Sequence, residues 1–314
     1  MSSGAAPAPL PIVYSPLYEV TLPGHIWPTI KYRRVAERIA AERIVDPAAF
    51  VSPRICAWED LALAHAPEYL EKVRTGTLDE EEIRTLELPW VPELVDRFRL
   101  MTGGTCIAAE LALDSGAAVH LGGGLHHAFA GHGEGFCLFN DIAVAIRRLQ
   151  RDRRITRAAV VDCDVHHGNG TAAIFERDAS VFTFSIHQQH NYPLFKPRSD
   201  LDVGLLDGAD DREYLARLER ALPDVFASSP ELVVYVAGAD PFKSDRLGGL
   251  AMTLEGLRAR DRMVFSAARE RGIPVVVVLA GGYALDVEDT VEIHSATIEE
   301  CVRSAVGPRP SSYR

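Results

Sequence analysis

The segment from Asp162 to Gly168 reads Asp-Cys-Asp-Val-His-His-Gly and carries residue types that bind a divalent metal ion. Carboxylate oxygens and imidazole nitrogens are common donors, and a catalytic site usually combines about three protein ligands with one position for water. Because side chains alternate along an extended strand, Asp162, Asp164 and His166 are expected to project to one side and converge. Asp240 follows another apolar run and adds a carboxylate. The alternative, loop residues that cap helices, does not account for acids and histidines at several strand ends.

A histidine pair and a tyrosine also follow glycines. His126 and His127 come directly before Ala128 and after the run Gly122-Gly-Gly-Leu125. Glycine lets the backbone turn tightly and approach a neighbour closely, so such a pair can supply a general base and an electrostatic partner. Tyr283 follows two further glycines. It is a weaker candidate by itself, because a tyrosine beyond a strand commonly serves packing.

Short apolar runs that precede these groups predict buried strands. The runs are Ile12–Tyr14, Ala117–Leu121, Ala158–Cys163, Val181–Ile186, Leu232–Ala237 and Val275–Ala280. Segments with helical periodicity alternate with them, at Asp141–Arg151, Arg212–Phe226 and Leu254–Arg271. This alternation predicts an α/β protein with a mostly parallel sheet, in which the carboxyl ends of all strands share one edge. Polar residues or glycines follow five of the runs, so we expect one site assembled from five loops at that edge.

Composition and charge exclude several classes of protein. The 314 residues include 33 Lys plus Arg and 44 Asp plus Glu, which gives a formal net charge of −11. This acidic balance disfavours contact with a phosphate backbone, so we expect no direct nucleic-acid partner. The longest apolar run, around Ile273 to Leu285, is interrupted by Pro274 and two glycines and is too short to span a bilayer.

Cysteine usage and the terminal segments bear on compartment and domain boundaries. Five scattered cysteines form no Cys-x-x-Cys pair, which argues against a disulfide framework and against a thiolate zinc site. No Lys or Arg precedes Lys31, so the start of the sequence lacks the pattern of a secretory signal. We expect a cytoplasmic protein without a membrane partner. Its single domain spans residues 1–314, with residues 1–10 and 307–314 frayed.

Several motifs together resemble those of the zinc-dependent histone deacetylase family, which shares its fold with arginases and acetylpolyamine amidohydrolases. They are Thr102–Thr105, Gly122–His127, Gly135–Cys137 with Asn140-Asp141, Asp162–Gly170 and Asp245–Gly249. The similarity extends from Pro11 to about Tyr283 and looks closest to the class IV branch and its bacterial relatives. The resemblance implies a single three-layer α/β domain of the arginase/deacetylase type. It also implies a hydrolase that removes acetyl or longer acyl groups from lysine side chains.

The resemblance implies roles for individual residues. The implied zinc ligands are Asp164, His166 and Asp240. His127 would be the general base and acid, with His126 beside it as an electrostatic partner oriented by Asp162. Tyr283 would donate a hydrogen bond to the substrate carbonyl. Because two carboxylates and one imidazole also suit Fe²⁺, zinc rests on the resemblance alone.

The resemblance further implies a substrate tunnel and a structural potassium site. The tunnel residues would be Gly135, Phe136, Tyr192 and Leu247. The K⁺ ligands would be the side chains of Asp162 and Ser185 with the carbonyls of Asp164, His166 and Ile186. Class I relatives have aspartate where this chain has Asn169, beside the second histidine of the pair. An amide stabilises an imidazolium less than a carboxylate does, so His127 should be less basic here.

Three functions stay open at this stage. The first is hydrolysis of acyl-lysine in proteins or peptides, and the second is hydrolysis of acetylpolyamines or another small amide. The polyamine-selective branch has a glutamate where this chain has Leu247, which favours the peptide substrate. The third is an inactive module that binds acyl-lysine, although such a module has no need of a complete hydrolytic set.

Overall fold

A single eight-stranded sheet forms the centre of the protein. The structure is a computed structural model and describes residues 10–305. The strands are β1 (Ile12–Val13), β2 (Phe50–Val51), β3 (Ala117–His120), β4 (Ala158–Asp162), β5 (Val181–Gln188), β6 (Leu201–Leu205), β7 (Leu232–Val236) and β8 (Val275–Val278). Their order is β2-β1-β3-β8-β7-β4-β5-β6, and every strand pair in residues 10–305 is parallel. The carboxyl ends of the strands therefore share one edge, as predicted.

Ten α-helices are found among the described residues. They are α1 (Ile30–Ala41), α2 (Trp58–Leu61), α3 (Pro67–Thr75), α4 (Glu80–Leu86), α5 (Glu93–Ser115), α6 (Asp141–Arg151), α7 (Asn169–Phe175), α8 (Asp211–Ala227), α9 (Leu254–Glu270) and α10 (Val287–Ala305). The three predicted helices are present within one residue at each end. Within the described part of the chain, none of the helices combines the length and the apolar character needed to cross a membrane.

Helices cover both faces of the sheet and create three layers. Val160 and Val276 belong to an apolar cluster that includes side chains of α5 and α6. The next residue in each strand, Val161 or Val277, belongs to a second cluster with side chains of α1, α8, α9 and α10. Since both faces are buried, the central strands need apolar residues at every position, and β7 and β8 are fully buried. The three-layer α/β fold is confirmed.

The six predicted strands are all present, although most end one or two residues before the predicted boundary. Two further strands lack the apolar pattern on which the prediction depended. β2 has only two residues, and β6 lies at an edge of the sheet with the sequence Leu-Asp-Val-Gly-Leu. Because one side of an edge strand is open, β6 accepts polar residues that a central strand would exclude.

The predicted frayed ends lie outside the described residues except at Leu10. There the prediction is wrong, because Leu10 is buried in the apolar cluster that contains α1. The parallel pairing of β1 with β2 and β3 fixes the chain only two residues later, which holds Leu10 against this cluster.

Candidate active site

A cavity of about 180 Å³ opens at the carboxyl edge of the sheet. The segments that follow β3, β4 and β8 supply part of its lining. All four predicted tunnel residues line it, namely Gly135, Phe136, Tyr192 and Leu247. Five of the predicted metal and catalytic residues also line it: His126, His127, Asp164, His166 and Tyr283. In the segment after β5, the residues that line the cavity are Asn191 and Tyr192.

The segment that carries Asp164 and His166 is not an extended strand, which corrects the prediction about its geometry. β4 ends at Asp162, and the following residues leave the sheet. Oδ1 of Asp162 accepts a hydrogen bond from the backbone N–H of Asp164 at 3.1 Å, and Oδ1 of Asp164 accepts one from the N–H of His166 at 3.0 Å. Aspartate commonly turns a chain by such bonds to the residue two positions on. Two successive turns of this kind, and not strand alternation, determine where Asp164 and His166 lie.

Three side chains form a buried group suited to a divalent ion. Nδ1 of His166 lies 3.1 Å from Oδ1 of Asp164 and 3.4 Å from Oδ2 of Asp240. Around a tetrahedral metal with bonds of about 2.0 Å, neighbouring donor atoms are about 3.3 Å apart. Oδ2 of Asp240 is buried without a hydrogen-bond partner among the described residues. A buried carboxylate oxygen without a partner is costly, so its position in this group supports a site for a cation.

The electrostatics of the three candidate ligands support the same conclusion. Burial alone would lower the pKa of His166, but Asp164 and Asp240 raise it to about 10. Burial and the neighbouring charge of Asp164 raise the pKa of Asp240. In this arrangement a protonated imidazole supplies the positive charge that two buried carboxylates require. A bound divalent cation would supply that charge instead and leave His166 neutral, as metal binding requires.

A second group of possible ligands, His167, His187 and Asp202, lies elsewhere. Nε2 of His167 is 3.1 Å from Oδ1 of Asp202, and Nδ1 of His187 is 2.9 Å from Oγ of Ser185. None of the three residues lines the cavity, whereas Asp164 and His166 of the first group do. We therefore take the group of Asp164, His166 and Asp240 as the candidate metal site.

The histidine pair is held by two different partners. Nδ1 of His126 donates to Oδ2 of Asp162 at 2.7 Å, while Nδ1 of His127 lies 2.7 Å from Oδ1 of Asn169. Burial would lower the pKa of His126, but the carboxylates of Asp162 and Asp164 raise it to about 9. Burial together with the neighbouring imidazoles holds the pKa of His127 well below its usual value. His127 is thus the neutral member of the pair and can accept a proton.

Tyr283 and the aromatic residues complete the cavity. Burial and the charges of Asp164 and Asp240 raise the pKa of Tyr283 well above its usual value, so its hydroxyl stays protonated and can donate. Its backbone N–H donates to Oδ2 of Asp245 at 2.6 Å, and its ring meets that of Phe136 edge-on at 6.1 Å.

Tyr192 and Leu247 form other parts of the cavity wall. The ring of Tyr192 meets the His127 ring edge-on at a centroid distance of 5.1 Å. The carbonyl of Leu247 accepts a hydrogen bond from Nδ2 of Asn191 at 2.7 Å, which joins the loop after β7 to the loop after β5. Phe136 and Tyr192 are therefore wall residues of the cavity and do not serve only as core aromatics.

Three of the five implied potassium ligands lie at neighbouring positions of the sheet, and Asp164 and His166 lie in the segment that follows β4. The register of β4 and β5 pairs Asp162 with Ser185, and Ile186 follows directly. Ser185 and Ile186 are buried. Potassium binding stays a prediction.

Three charged residues near the site could not be identified from the sequence; two of them are fully buried and the third, Glu134, is partly buried. Lys31 of α1 is fully buried, and its Nζ donates to the carbonyl of Ala280 at 2.7 Å. Burial lowers the pKa of Lys31 to about 8, although Asp240 and Asp164 oppose this shift. Lysine is an ordinary residue of an amphipathic helix, so the sequence around Lys31 does not indicate that its side chain is buried. The second residue, Glu134, lies directly before Gly135 and contacts Asn169.

Arg260 is the third, and it contacts the chain beside the candidate metal site. It is fully buried, and its Nη1 donates to the carbonyl of Gly238 at 2.7 Å and to that of Cys163 at 3.3 Å. These carbonyls belong to the two segments that carry Asp164 and Asp240. Nε of Arg260 also donates to Oδ1 of Asp261 at 2.9 Å. One guanidinium therefore connects both ligand-bearing segments to α9.

Comparison with known proteins gives consistent matches over most of the chain. A family model described as the histone deacetylase domain matches residues 25–298. An uncharacterised protein of Picosynechococcus sp. is 42% identical over 287 residues, which cover 91% of this chain and 96% of that protein. Histone deacetylase 2 of Arabidopsis thaliana is 32% identical over 286 residues, with 87% and 74% covered. The crystal structure of the HDA15 HD domain superposes with a TM-score of 0.76 at 24% identity, covering 92% of this chain and 89% of that one, and supports the fold.

Proposed function

The chain belongs to the histone deacetylase family, and from this membership and the geometry of the cavity we propose that it is a zinc-dependent lysine deacylase. Hydrolase activity of the deacetylase kind follows from the family. We propose in addition that the metal is zinc, that the substrate is an acyl-lysine, and that individual residues have the roles given below. The observation that carries the proposal is a buried group of three metal donors, two of which line the same cavity as the neutral imidazole of His127 and the side chain of Tyr283.

Asp164, His166 and Asp240 would hold the metal ion, which when bound polarises a carbonyl and lowers the pKa of water to about 7. His127 is the proton carrier in the proposal. If its Nδ1 is protonated and donates to Asn169, Nε2 is free to take a proton from water and return it to the leaving amine. His126, which Asp162 keeps charged, stabilises negative charge nearby.

Tyr283 would stabilise the substrate carbonyl oxygen as negative charge develops on it. Its hydroxyl stays protonated because burial and two carboxylates disfavour the phenolate. Removal of one such donor in other enzymes costs about 10²- to 10³-fold in turnover. The hydrogen bond from the Tyr283 N–H to Asp245 fixes the backbone from which the side chain projects.

The cavity walls suit the methylene stem of a lysine. Phe136, Tyr192 and Leu247 supply apolar surface around it. Burial of each methylene group contributes about 0.8 kcal/mol, so an apolar slot favours an extended aliphatic chain that ends in the acyl amide.

The test uses peptides with acyl-lysines of increasing chain length and protein with a measured metal content. We expect hydrolysis with one zinc per chain, loss of activity on chelation and recovery when Zn²⁺ is returned; parallel loading with Fe²⁺ identifies the more active metal. Asp164→Ala should lose both metal and turnover, because an open catalytic site depends on each of its protein ligands. Asp200→Ala is the control, since Asp200 accepts hydrogen bonds from Thr183 outside the cavity. Full metal content and activity in Asp164→Ala would contradict the assignment.

The proposed substrate is a peptide and not a polyamine because the cavity carries Leu247. A carboxylate at this position would attract the second ammonium of a polyamine by about 1 kcal/mol or more, whereas leucine offers only apolar contact. We expect acyl-lysine peptides to have a higher kcat/KM than acetylspermidine or acetylputrescine. Leu247→Glu should reduce or invert the ratio of kcat/KM for the peptide to kcat/KM for the polyamine. Leu254→Glu, at the start of α9, should not change this ratio.

Two outcomes would replace the proposal. Acetylpolyamines that prove better substrates of the unmodified enzyme would favour the small-amide hydrolase. Binding of an acyl-lysine peptide without acid release, at full metal loading, would favour an inactive binding module.

A further inference from the structure

Asn169 lies between His127 and Glu134 and contacts both. Glu134 accepts hydrogen bonds from two residues of the site. Its Oε1 accepts a hydrogen bond from Nδ2 of Asn169 at 2.7 Å and one from the hydroxyl of Tyr192 at 3.2 Å. Its Oε2 lies 3.2 Å from Nε2 of His132. The backbone is fixed as well, because Glu134 and Cys137 exchange both backbone hydrogen bonds, at 3.0 and 2.9 Å. This carboxylate is therefore held in one place and is mostly shielded, with 18% of its side chain exposed.

The carboxylate determines how the Asn169 amide is oriented. An amide has a donor end and an acceptor end and can be turned either way, whereas an ionised carboxylate only accepts. Asn169 is fully buried, so water does not satisfy its amide in place of the protein. With Glu134 ionised, Nδ2 must face Glu134 and Oδ1 must face His127. Burial opposes ionisation of Glu134, but hydrogen bonds from His132, Asn169 and Tyr192 lower its pKa.

The amide orientation in turn determines the tautomer of His127. Oδ1 of Asn169 can only accept, so Nδ1 of His127, 2.7 Å away, must carry the proton. In a neutral imidazole this leaves Nε2 with a free lone pair. An aspartate at position 169 would impose this tautomer unaided, because both of its oxygens accept. An asparagine does so only if a second acceptor holds its amide group, and Glu134 is that acceptor.

We propose that Glu134 is a positioning residue for the deacylation proposed above. Through Asn169 it fixes the tautomer of His127, and through the Tyr192 hydroxyl it holds one wall of the tunnel. The inference rests on the proposed function for its catalytic consequence. The tautomer itself is a property of the protein and needs no substrate.

The first experiment measures the tautomer directly. Long-range ¹H–¹⁵N NMR distinguishes the two neutral tautomers of histidine, and His127→Ala identifies the signals of His127. We expect the Nδ1–H tautomer in the unmodified protein and a mixture of both tautomers in Glu134→Ala. Tyr192→Phe is the matched variant: it removes the other hydrogen bond to Oε1 and should leave the tautomer unchanged. A single, unchanged tautomer in Glu134→Ala would overturn the inference.

The second experiment exchanges the acid and the amide. Asn169→Asp alone brings two carboxylates to hydrogen-bonding distance and should reduce kcat by about 10-fold or more, the scale seen for outer-sphere partners. In Asn169→Asp combined with Glu134→Gln, the amide donates to the new carboxylate, which still accepts from His127. We expect this double variant to recover most of the lost kcat. A double variant no more active than Asn169→Asp would contradict the proposed arrangement.

A control and the substrate-free measurement separate this inference from the proposed function. Glu231→Gln alters a carboxylate that accepts hydrogen bonds from Thr156 at 2.9 and 2.6 Å, away from the cavity, and should change neither kcat nor the tautomer. An unmodified protein inactive on every acyl-lysine, but with a tautomer that depends on Glu134, would contradict the function and support the positioning role. Full activity with a tautomer independent of Glu134 would do the opposite.

Discussion

Replacement of Gly281 by alanine should weaken metal binding at least 100-fold while the fold is retained. A Cβ atom at Gly281 would lie 1.9 Å from Oδ2 of Asp240 and 2.6 Å from Oδ2 of Asp164. Ordinary contact begins at 3.4 Å, so Oδ2 of Asp240 would have to retreat by about 1.5 Å. Metal sites tolerate deviations of about 0.2 Å in ligand distance. The required displacement is several times larger and affects the carboxylate oxygen that has no partner within the described residues.

The cost to the fold should be much smaller than the cost to the metal site. Insertion of one methyl group into a packed interior costs about 1–3 kcal/mol. With an unfolding entropy of about 2.1 cal/mol/K per residue, a chain of 314 residues should lose about 2 to 5 °C in Tm. The metal-free variant should therefore remain folded at room temperature.

Two measurements test these expectations. The first is the zinc content per chain, measured by mass spectrometry after dialysis against buffered Zn²⁺. The second is thermal unfolding of the metal-free proteins. We expect metal affinity to fall at least 100-fold in Gly281→Ala. Gly131→Ala is the matched control, since a Cβ there would meet no atom within 4 Å. One zinc per chain at unmodified affinity in Gly281→Ala would refute the reasoning that Asp240 and Gly281 share the space beside the ion.

Four further substitutions, in three predictions, test the roles of other residues. Tyr283→Phe should keep fold and metal but lose about 10²- to 10³-fold in kcat, and an unchanged kcat would mean that another group stabilises the carbonyl. His127→Ala should reduce kcat more than His126→Ala, because only the former removes the proton carrier; the reverse ranking in steady-state kinetics would exchange their roles. Arg260→Met should destabilise the protein by about 3–5 kcal/mol because it leaves the buried charge of Asp261 without its partner. That loss corresponds to about 5 to 8 °C in Tm by calorimetry, and a change below 2 °C would contradict it.

The parts of the fold that could be predicted from sequence are those with a local signal. Four consecutive valines form β8, and α6 follows an asparagine cap and presents a buried apolar face. β2 is too short to show a period, and β6 contains an acid and a glycine because it lies at an edge. An edge strand is paired on one side only and can contain polar residues, and these residues interrupt the apolar pattern by which a strand is predicted.

The same distinction applies to the site. Asp164 and His166 lie two residues apart in one motif, so their types and spacing were visible, although the turns that bring them together were not. Lys31 and its acceptor Ala280 are 249 residues apart, and neither has a neighbour that indicates the contact. A buried charge is identified by its distant partners, and these are known only once the chain has folded.

Oδ2 of Asp240, which lacks a hydrogen-bond partner within residues 10–305, belongs to a candidate metal site that should also affect how this protein tolerates heat. An ion that binds the native chain more tightly than the unfolded one stabilises it by mass action, and a ligand at 1,000 times its Kd adds about 4.1 kcal/mol. For a chain of 314 residues this corresponds to about 6 °C. The unfolding temperature should therefore rise with the logarithm of free zinc even without substrate. A cell that withholds the metal would then reduce the amount of folded protein as well as its turnover.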